Sequence, residues 1–228
     1  MNVLELKDVT CITPEGVRLV SGWNLCLKEG ERVFFQAAEA RGTALMDLLC
    51  GLRPPEAGSV LFLGENLYAG NEIARAEMRR RSIGCVGRHV GFPPEWSILR
   101  SLALPLVLGG TPRREANARA KDLAERAGLG GAVYENPRSL SPYRRAVMGL
   151  LRAVIAKPRL LVMDDFANDL SPRDRERLGV LVSKLMPPEA ALLMIGALPP
   201  REWPAMEELS LPDGTSSESE KKEEALES

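Results

Sequence analysis

Alternating apolar and polar side chains dominate the start of the chain. Residues 1–10 alternate with the period of a half-buried strand, and residues 17–27 do so again, which predicts an antiparallel β-meander. An unbroken apolar run at 33–35 predicts a buried strand. Leucines at helical spacing follow within 45–49, so the buried strand leads directly into a helix.

The rest of the chain mixes strand-like and helix-like segments. Residues 97–156 lack convincing strands and carry apolar residues at helical spacing. The near-continuous apolar run at 159–165 is typical of a central strand in a parallel sheet. This order predicts an α/β fold with a helical lobe inserted into the sheet. The remaining predicted elements are strands at 59–63, 83–86 and 190–195, a helix at 72–81 and a helix that begins near Pro172.

Length and charge narrow the function classes. The 228 residues allow one domain with two lobes and a substantial core, and the net charge of -1 gives no basic excess that would favour a nucleic-acid partner. Six acidic residues and two lysines fall within 213–228, so the rest of the chain is mildly basic. That segment cannot bury enough apolar surface to order itself, and we predict a disordered acidic tail over 211–228.

The sequence also indicates the cellular compartment of the protein. The charge-free apolar stretches at 101–112 and 190–200 fall short of the roughly 20 residues that a bilayer demands. Charges near the N-terminus argue against an export signal. The four cysteines lie in apolar segments without metal-like spacing, so all are expected to be reduced core thiols of a cytoplasmic protein: Cys11, Cys26, Cys50 and Cys85.

The connection between the strand at 33–35 and the following helix lies where nucleotide-binding proteins place a phosphate loop. In the pattern G-x-x-x-x-G-K-[ST], the glycines let backbone amides close on phosphates, the lysine neutralises them and the hydroxyl holds Mg²⁺. Here Gln36 and Arg41 replace the glycines and Gly42 replaces the lysine. Only Thr43 fits the pattern.

A carboxylate in this loop changes the expected chemistry further. Glu39 stands beside the helix N-terminus, where it can satisfy the amides itself and repel a nucleotide. Two alternatives stay open. Arg41 can supply a cation in a shifted register, which would preserve some anion binding, and Thr43 near a helix start is also typical of a helix cap.

Residues 136–165 carry a family resemblance. The run Asn136-Pro-Arg-Ser-Leu-Ser, the helix pattern after it and the strand that ends in Asp164-Asp165 resemble the signature helix and Walker B strand of the nucleotide-binding domain of ABC transporters, in spacing as well as type. The resemblance covers about residues 1–200. It implies a P-loop NTPase-like, RecA-like core with an N-terminal antiparallel β subdomain and an inserted helical lobe. The implied boundaries are 1–210 for the domain, with the core at about 1–90 and 157–205 and the helical lobe at about 91–156.

The resemblance implies active residues, and most of them are substituted. In the signature LSGGQ, Leu140 and Ser141 remain, but Pro142-Tyr-Arg replaces the rest, and a proline has no N–H to donate. The Q-loop glutamine aligns with Arg88, and the switch histidine aligns with Ala197. Both sides of the family's composite nucleotide site are therefore expected to be damaged.

Walker B is the best-preserved motif. Asp164 stands where the family's Mg²⁺ ligand belongs, with Thr43 as the other candidate ligand if nucleotide binds. Asp165 occupies the catalytic glutamate position, one methylene short, and a misplacement of about 1 Å can cost on the order of 100-fold in rate. The alternative is that both carboxylates cap the next element or pair with arginines.

These substitutions favour a catalytically degenerate subunit, a pseudo-ATPase that docks on an integral-membrane permease at the inner face of the cell membrane. It would pair with a second copy or with an intact ATPase subunit, and no cofactor is expected. One alternative is a slow ATPase that uses ATP and Mg²⁺ to energise transport of a lipid or lipoprotein, a subfamily suggested by the similarity of residues 98–110 to lipoprotein-release, cell-division and phospholipid-trafficking domains. Another is a regulatory scaffold unrelated to transport.

Overall fold

The computed structural model describes residues 1–13, 16–87, 91–197, 203 and 205–212, with the backbone alone at 39 and 40. Arg88, the predicted tail from 213 onward and the side chain of Glu39 therefore lie outside the described residues. The strands are β1 Asn2–Ile12, β2 Arg18–Lys28, β3 Arg32–Gln36, β4 Ala57–Phe62, β5 Glu65–Asn66, β6 Ile83–Gly87, β7 Leu160–Asp164, β8 Ala191–Gly196 and β9 Glu207–Leu209. The helices are α1 Glu39–Leu49, α2 Glu72–Ser82, α3 Ile98–Leu108, α4 Arg113–Arg126, α5 Pro142–Val154 and α6 Pro172–Leu185.

The predicted N-terminal meander is an antiparallel sheet of order β2-β1-β4-β5. Its alternating pattern places one face on the core and the other in solvent, as antiparallel sheets permit. The expectation that every cysteine is a core thiol is wrong for Cys26, which lies opposite Glu5 and is exposed. The local sequence is apolar, but Cys26 falls on the outward phase of β2.

The second sheet is parallel and has the order β6-β7-β8-β3-β9. Every residue of β7 and of β8 is buried, which accounts for their near-continuous apolar sequences. Successive residues of β3 serve opposite faces: Phe34 packs in one hydrophobic cluster and Phe35 in the other. The α/β fold class with an antiparallel and a parallel sheet is confirmed.

The chain between β6 and β7 is helical, as the spacing predicts. Ser97 caps α3 by accepting from the Arg100 amide, and Pro142 opens α5 behind the cap residue Ser141. The apolar stripe of α5 is buried and packs against β6. Whether this segment behaves as a separate lobe with the predicted boundaries stays a prediction.

Two strands were not expected from the sequence, the two-residue β5 and the strand β9 at the edge of the parallel sheet. The three-residue β9 pairs in parallel with β3, Val33 opposite Glu207 and Phe35 opposite Leu209. This pairing brings the chain from 205 to 212 beside the strand that leads into the candidate phosphate loop.

Among the described residues, no helix combines the length and apolar character needed to cross a bilayer.

Candidate functional site

The connection from β3 to α1 is only two residues long. β3 ends at Gln36 and α1 already begins at Glu39, so the last part of the expected loop is helical. The Gly42 amide donates to the Ala38 carbonyl at 2.9 Å, the bond of an ordinary helical turn. A phosphate loop needs such amides to point at the ligand. The amide at position 42 is therefore committed within α1.

This helix start also decides between the two interpretations of Thr43. The residue before the helix is Ala38, which makes no side-chain capping bond, and Thr43 lies one turn inside. The cap interpretation is wrong, because the helix starts earlier than the leucine spacing indicated. The Thr43 hydroxyl instead donates to Asp164 Oδ2 at 2.8 Å.

Asp164 fills the space beside the position of the missing lysine. Its side chain is 2% exposed at the end of β7. A Cβ built on Gly42 would collide with Asp164 Oδ1. The absence of a side chain at 42 thus allows the carboxylate to sit against α1 and to hold Thr43. A hydroxyl and a carboxylate oxygen are suitable Mg²⁺ ligands, so these two residues fit the metal half of the expected site.

We expect that a lysine at position 42 destabilises the protein instead of restoring hydrolysis. The new Cβ must displace Asp164, and overpacking of this kind costs about 1–3 kcal/mol. Urea unfolding of Gly42→Lys and Gly42→Ala tests this. Alanine adds the same Cβ without the charge, and inside a helix it would otherwise gain roughly 0.5–1 kcal/mol over glycine. Unchanged stability in both variants, or ATP hydrolysis by the lysine variant, would contradict the expectation.

Asp165 turns toward the end of β8. Its Oδ1 accepts from the Ala197 amide at 3.2 Å, and its side chain is 4% exposed. Its φ of 47° lies in the left-handed region, which is uncommon for residues other than glycine. This carboxylate bonds to the backbone at the switch-histidine position, where the family would have an imidazole.

Gln36 completes this polar cluster. Its Nε2 donates to the Ala197 carbonyl at 3.1 Å, so Ala197 bonds both to the first loop position and to Asp165. The structure thus brings together Thr43 of α1 and residues from the carboxyl ends of β3, β7 and β8, where open parallel sheets bind ligands. They are Gln36, Thr43, Asp164, Asp165 and Ala197.

Arg41 faces a different partner. Its guanidinium donates to the Pro212 carbonyl at 2.9 Å. The cation proposed for a shifted phosphate register is therefore engaged by the C-terminal segment.

The signature residues lie apart from this cluster. Ser141 Oγ accepts from the Arg144 amide at 3.4 Å and serves as the cap of α5. The Tyr143 ring lies under the guanidinium of Arg177, with 4.3 Å between the Arg177 carbon and the ring centroid. The hydroxyl and the ring are both committed within the chain, and Pro142 contributes no donor.

A groove lies on α3 and α4. We call it the α3–α4 groove; it encloses about 510 Å³. The guanidinium of Arg100 stacks over the Trp96 ring, with 4.1 Å between the Arg100 carbon and the ring centroid. The sequence signal for this groove is the set of apolar residues on the outward face of α3. It was missed because apolar residues at helical spacing were all interpreted as core residues. The main lining residues of the α3–α4 groove are Trp96, Leu99, Leu104, Val107, Arg113 and Tyr134.

Comparison with known proteins gives consistent matches. The family model described as ABC transporter matches residues 20–168. The chain is 36% identical over 173 residues to a lipoprotein-releasing system ATP-binding protein, LolD, of Pseudomonas fluorescens, covering 75% of this chain and 76% of the relative. The LolD protein of Chromohalobacter salexigens is 31% identical over 183 residues, with 80% and 77% covered.

The fold is similar to a solved ATP-binding cassette. The dimeric structure of MJ0796 bound to ADP and phosphate superposes with a TM-score of 0.80 at 21% identity, covering 92% of this chain and 95% of that one.

Proposed function

Because the chain belongs to the ABC transporter family, we propose that it is an ATP-binding-type subunit that docks on an integral-membrane permease and does not itself turn over ATP. The protein would act from the inner face of the cell membrane. Its role would be structural or regulatory within the assembly, since the scaffold is whole and the phosphate site is altered.

One observation carries the pseudo-ATPase part of the proposal. The amide of Gly42, at the position of the family's lysine, is consumed by the first turn of α1. A nucleotide would have to unwind that turn and to displace the Asp164 carboxylate before its phosphates could approach. A site that must first be rebuilt by its ligand binds it weakly.

The α3–α4 groove supports the docking part. It combines apolar and aromatic lining with two arginines, Arg100 and Arg113, and Tyr134 is 74% exposed. Apolar grooves with charged edges suit an amphipathic helix laid along them. We assign the groove to a cytoplasmic helix of the permease that carries acidic residues beside its apolar face.

Two features support the remaining assignments. The named relatives belong to lipoprotein-releasing systems, so the proposed cargo is a lipoprotein or another lipid-bearing molecule. The solved cassette of the same fold is dimeric, so the chain would pair with a second cassette, either its own copy or an intact ATPase subunit. The composition of the complex purified from native membranes separates the two pairings.

We expect that millimolar Mg-ATP leaves the melting temperature of the purified chain unchanged and produces no calorimetric heat. A ligand at 100 times its dissociation constant would add about 2.7 kcal/mol of stability, which a thermal melt detects easily. An intact LolD relative treated in parallel is the positive control. A saturable ATP-dependent shift in this chain would contradict the pseudo-ATPase proposal while leaving the docking proposal untouched.

A slow ATPase remains the second candidate, because Thr43 and Asp164 are bonded at 2.8 Å and supply a plausible Mg²⁺ ligand pair. In that case, hydrolysis by the purified chain would be measurable and would disappear in Asp164→Asn. Activity that survives this substitution would come from a contaminating ATPase.

A further inference from the structure

The C-terminal segment folds back onto the candidate site. We call residues 205–212 the C-terminal strap, and part of it forms β9, which pairs with β3. Leu209 lies opposite Phe35 and packs against the hydrophobic cluster that contains this phenylalanine. At the end of the strap, the Pro212 carbonyl accepts from Arg41 in the first turn of α1. The strap therefore connects the strand before the altered loop to the helix after it.

The chain just before the strap is anchored by Trp203. This side chain is 7% exposed, and its Nε1 donates to the Arg175 carbonyl of α6 at 3.0 Å. A Cβ at Gly179 would collide with the indole ring, so the ring lies directly on the backbone of α6. The strap is thus held at both ends, by α6 upstream and by Arg41 downstream.

The pairing of the strap with the sheet is short. β9 has three residues, lies at the edge of the parallel sheet and carries two exposed glutamates. On its other side, β3 pairs with β8 over five residues. Elements with few buried contacts open more easily than the core of a protein, so we expect the strap to open while β3 stays in place.

The first turn of α1 has little support of its own. Ala38 makes no side-chain capping bond, and the glycine at position 42 is less favourable in a helix than alanine. The Nε of Arg41 is buried without a hydrogen-bond partner among the described residues. Loss of the Pro212 carbonyl would leave this guanidinium still less well satisfied, and a dehydrated donor without an acceptor is costly. The turn therefore depends on the strap.

We propose that the C-terminal strap holds the first turn of α1 wound, and that the backbone amides of the altered loop become accessible only when the strap is released. Release would remove the acceptor of Arg41, unwind the turn and free the Gly42 amide from the Ala38 carbonyl. This role of the strap rests on the proposed function, in which the wound turn keeps phosphates out. The strap would thus inhibit anion binding at the loop from within the same chain.

Hydrogen exchange of the full-length chain, measured by nuclear magnetic resonance without nucleotide, tests this role. The amides of Gly42 and Thr43 report on the turn, because their helical acceptors lie at its start. Arg41→Met keeps a similar helix propensity but cannot donate, so these two amides should exchange about tenfold faster while those of β3 keep the parental rate. Parental rates at both amides in this variant would overturn the proposal.

Arg79→Met is the matched control. The Arg79 guanidinium donates to the Gly51 carbonyl at 3.2 Å, just beyond the opposite end of α1. Removal of this bond should leave hydrogen exchange in the first turn unchanged. An equal increase in Arg79→Met would show a general loosening of α1 and would count against the strap.

A second variant loosens the strap from the side of the sheet. Leu209→Ser should raise hydrogen exchange both in β9 and at Gly42, whereas substitution of the neighbouring exposed residue, Glu208→Ser, should change neither. Parental protection of the Gly42 amide in Leu209→Ser would contradict the proposal. Because nucleotide is absent throughout, these results are independent of the Mg-ATP melt that tests the pseudo-ATPase proposal, and either proposal can fail alone.

Discussion

Alanine at both Trp96 and Tyr134 is expected to remove the permease from material that co-purifies with a tagged chain from native membranes. Large aromatic side chains at the centre of an interface typically contribute about 2 kcal/mol or more each, so the loss of both, about 4 kcal/mol, should weaken the complex on the order of 1,000-fold. Both side chains line the α3–α4 groove. Recovery of the permease can be quantified by mass spectrometry against the tagged subunit.

The control for this experiment is an exposed apolar residue on another helix. Val180 of α6 is 48% exposed and lies outside the groove, so Val180→Ala should recover the permease normally. The melting temperature of the double variant shows whether the loss reflects unfolding. If a folded double variant still recovers the permease at the parental level, the assignment of the groove is wrong.

Phe34→Ala is expected to lower the free energy of unfolding by about 3–5 kcal/mol. Phe34 is 1% exposed in β3 and pairs in register with Met194 of β8, so its truncation leaves a cavity at the centre of the parallel sheet. Urea denaturation followed by circular dichroism gives the change from the shift in midpoint.

Phe92→Ala is the matched variant, because Phe92 is only partly buried at the edge of the same cluster. Phe92→Ala should lower the free energy of unfolding by clearly less than Phe34→Ala does. Equal losses at the two positions would mean that burial in β3 does not set the stability of this sheet.

The main strands were accessible from the sequence, because β7 and β8 are buried on both faces and show it as continuous apolar runs. The start of α6 was accessible for a local reason, since Ser171 caps the helix and Pro172 opens it. Signals of this kind depend only on residues that are close in sequence, so tertiary contacts do not alter them.

The sequence attributed the altered chemistry of the candidate loop to its own side chains, and it did not indicate the contributions of the backbone and of Asp164. The sequence indicated that the side chains of Gln36, Glu39 and Arg41 would obstruct phosphates. In the structure the backbone itself is helical from Glu39, and Asp164 occupies the space beside Gly42. A propensity pattern does not reveal that a carboxylate more than a hundred residues away will fill a vacant lysine position.

Other features depended on contacts that no local pattern encodes. β9 has three residues, two of them glutamates, and forms because β3 offers it an edge. The α3–α4 groove needs helices and a tyrosine from separate segments to converge.

The bond from Arg41 to the Pro212 carbonyl has a practical consequence for handling the protein. It fixes the end of the described C-terminal segment beside the first turn of α1, so everything that follows Pro212 is tethered next to the altered loop. An affinity tag or fluorescent reporter at the C-terminus shares that tether, and purification handles for ATP assays therefore belong at Met1.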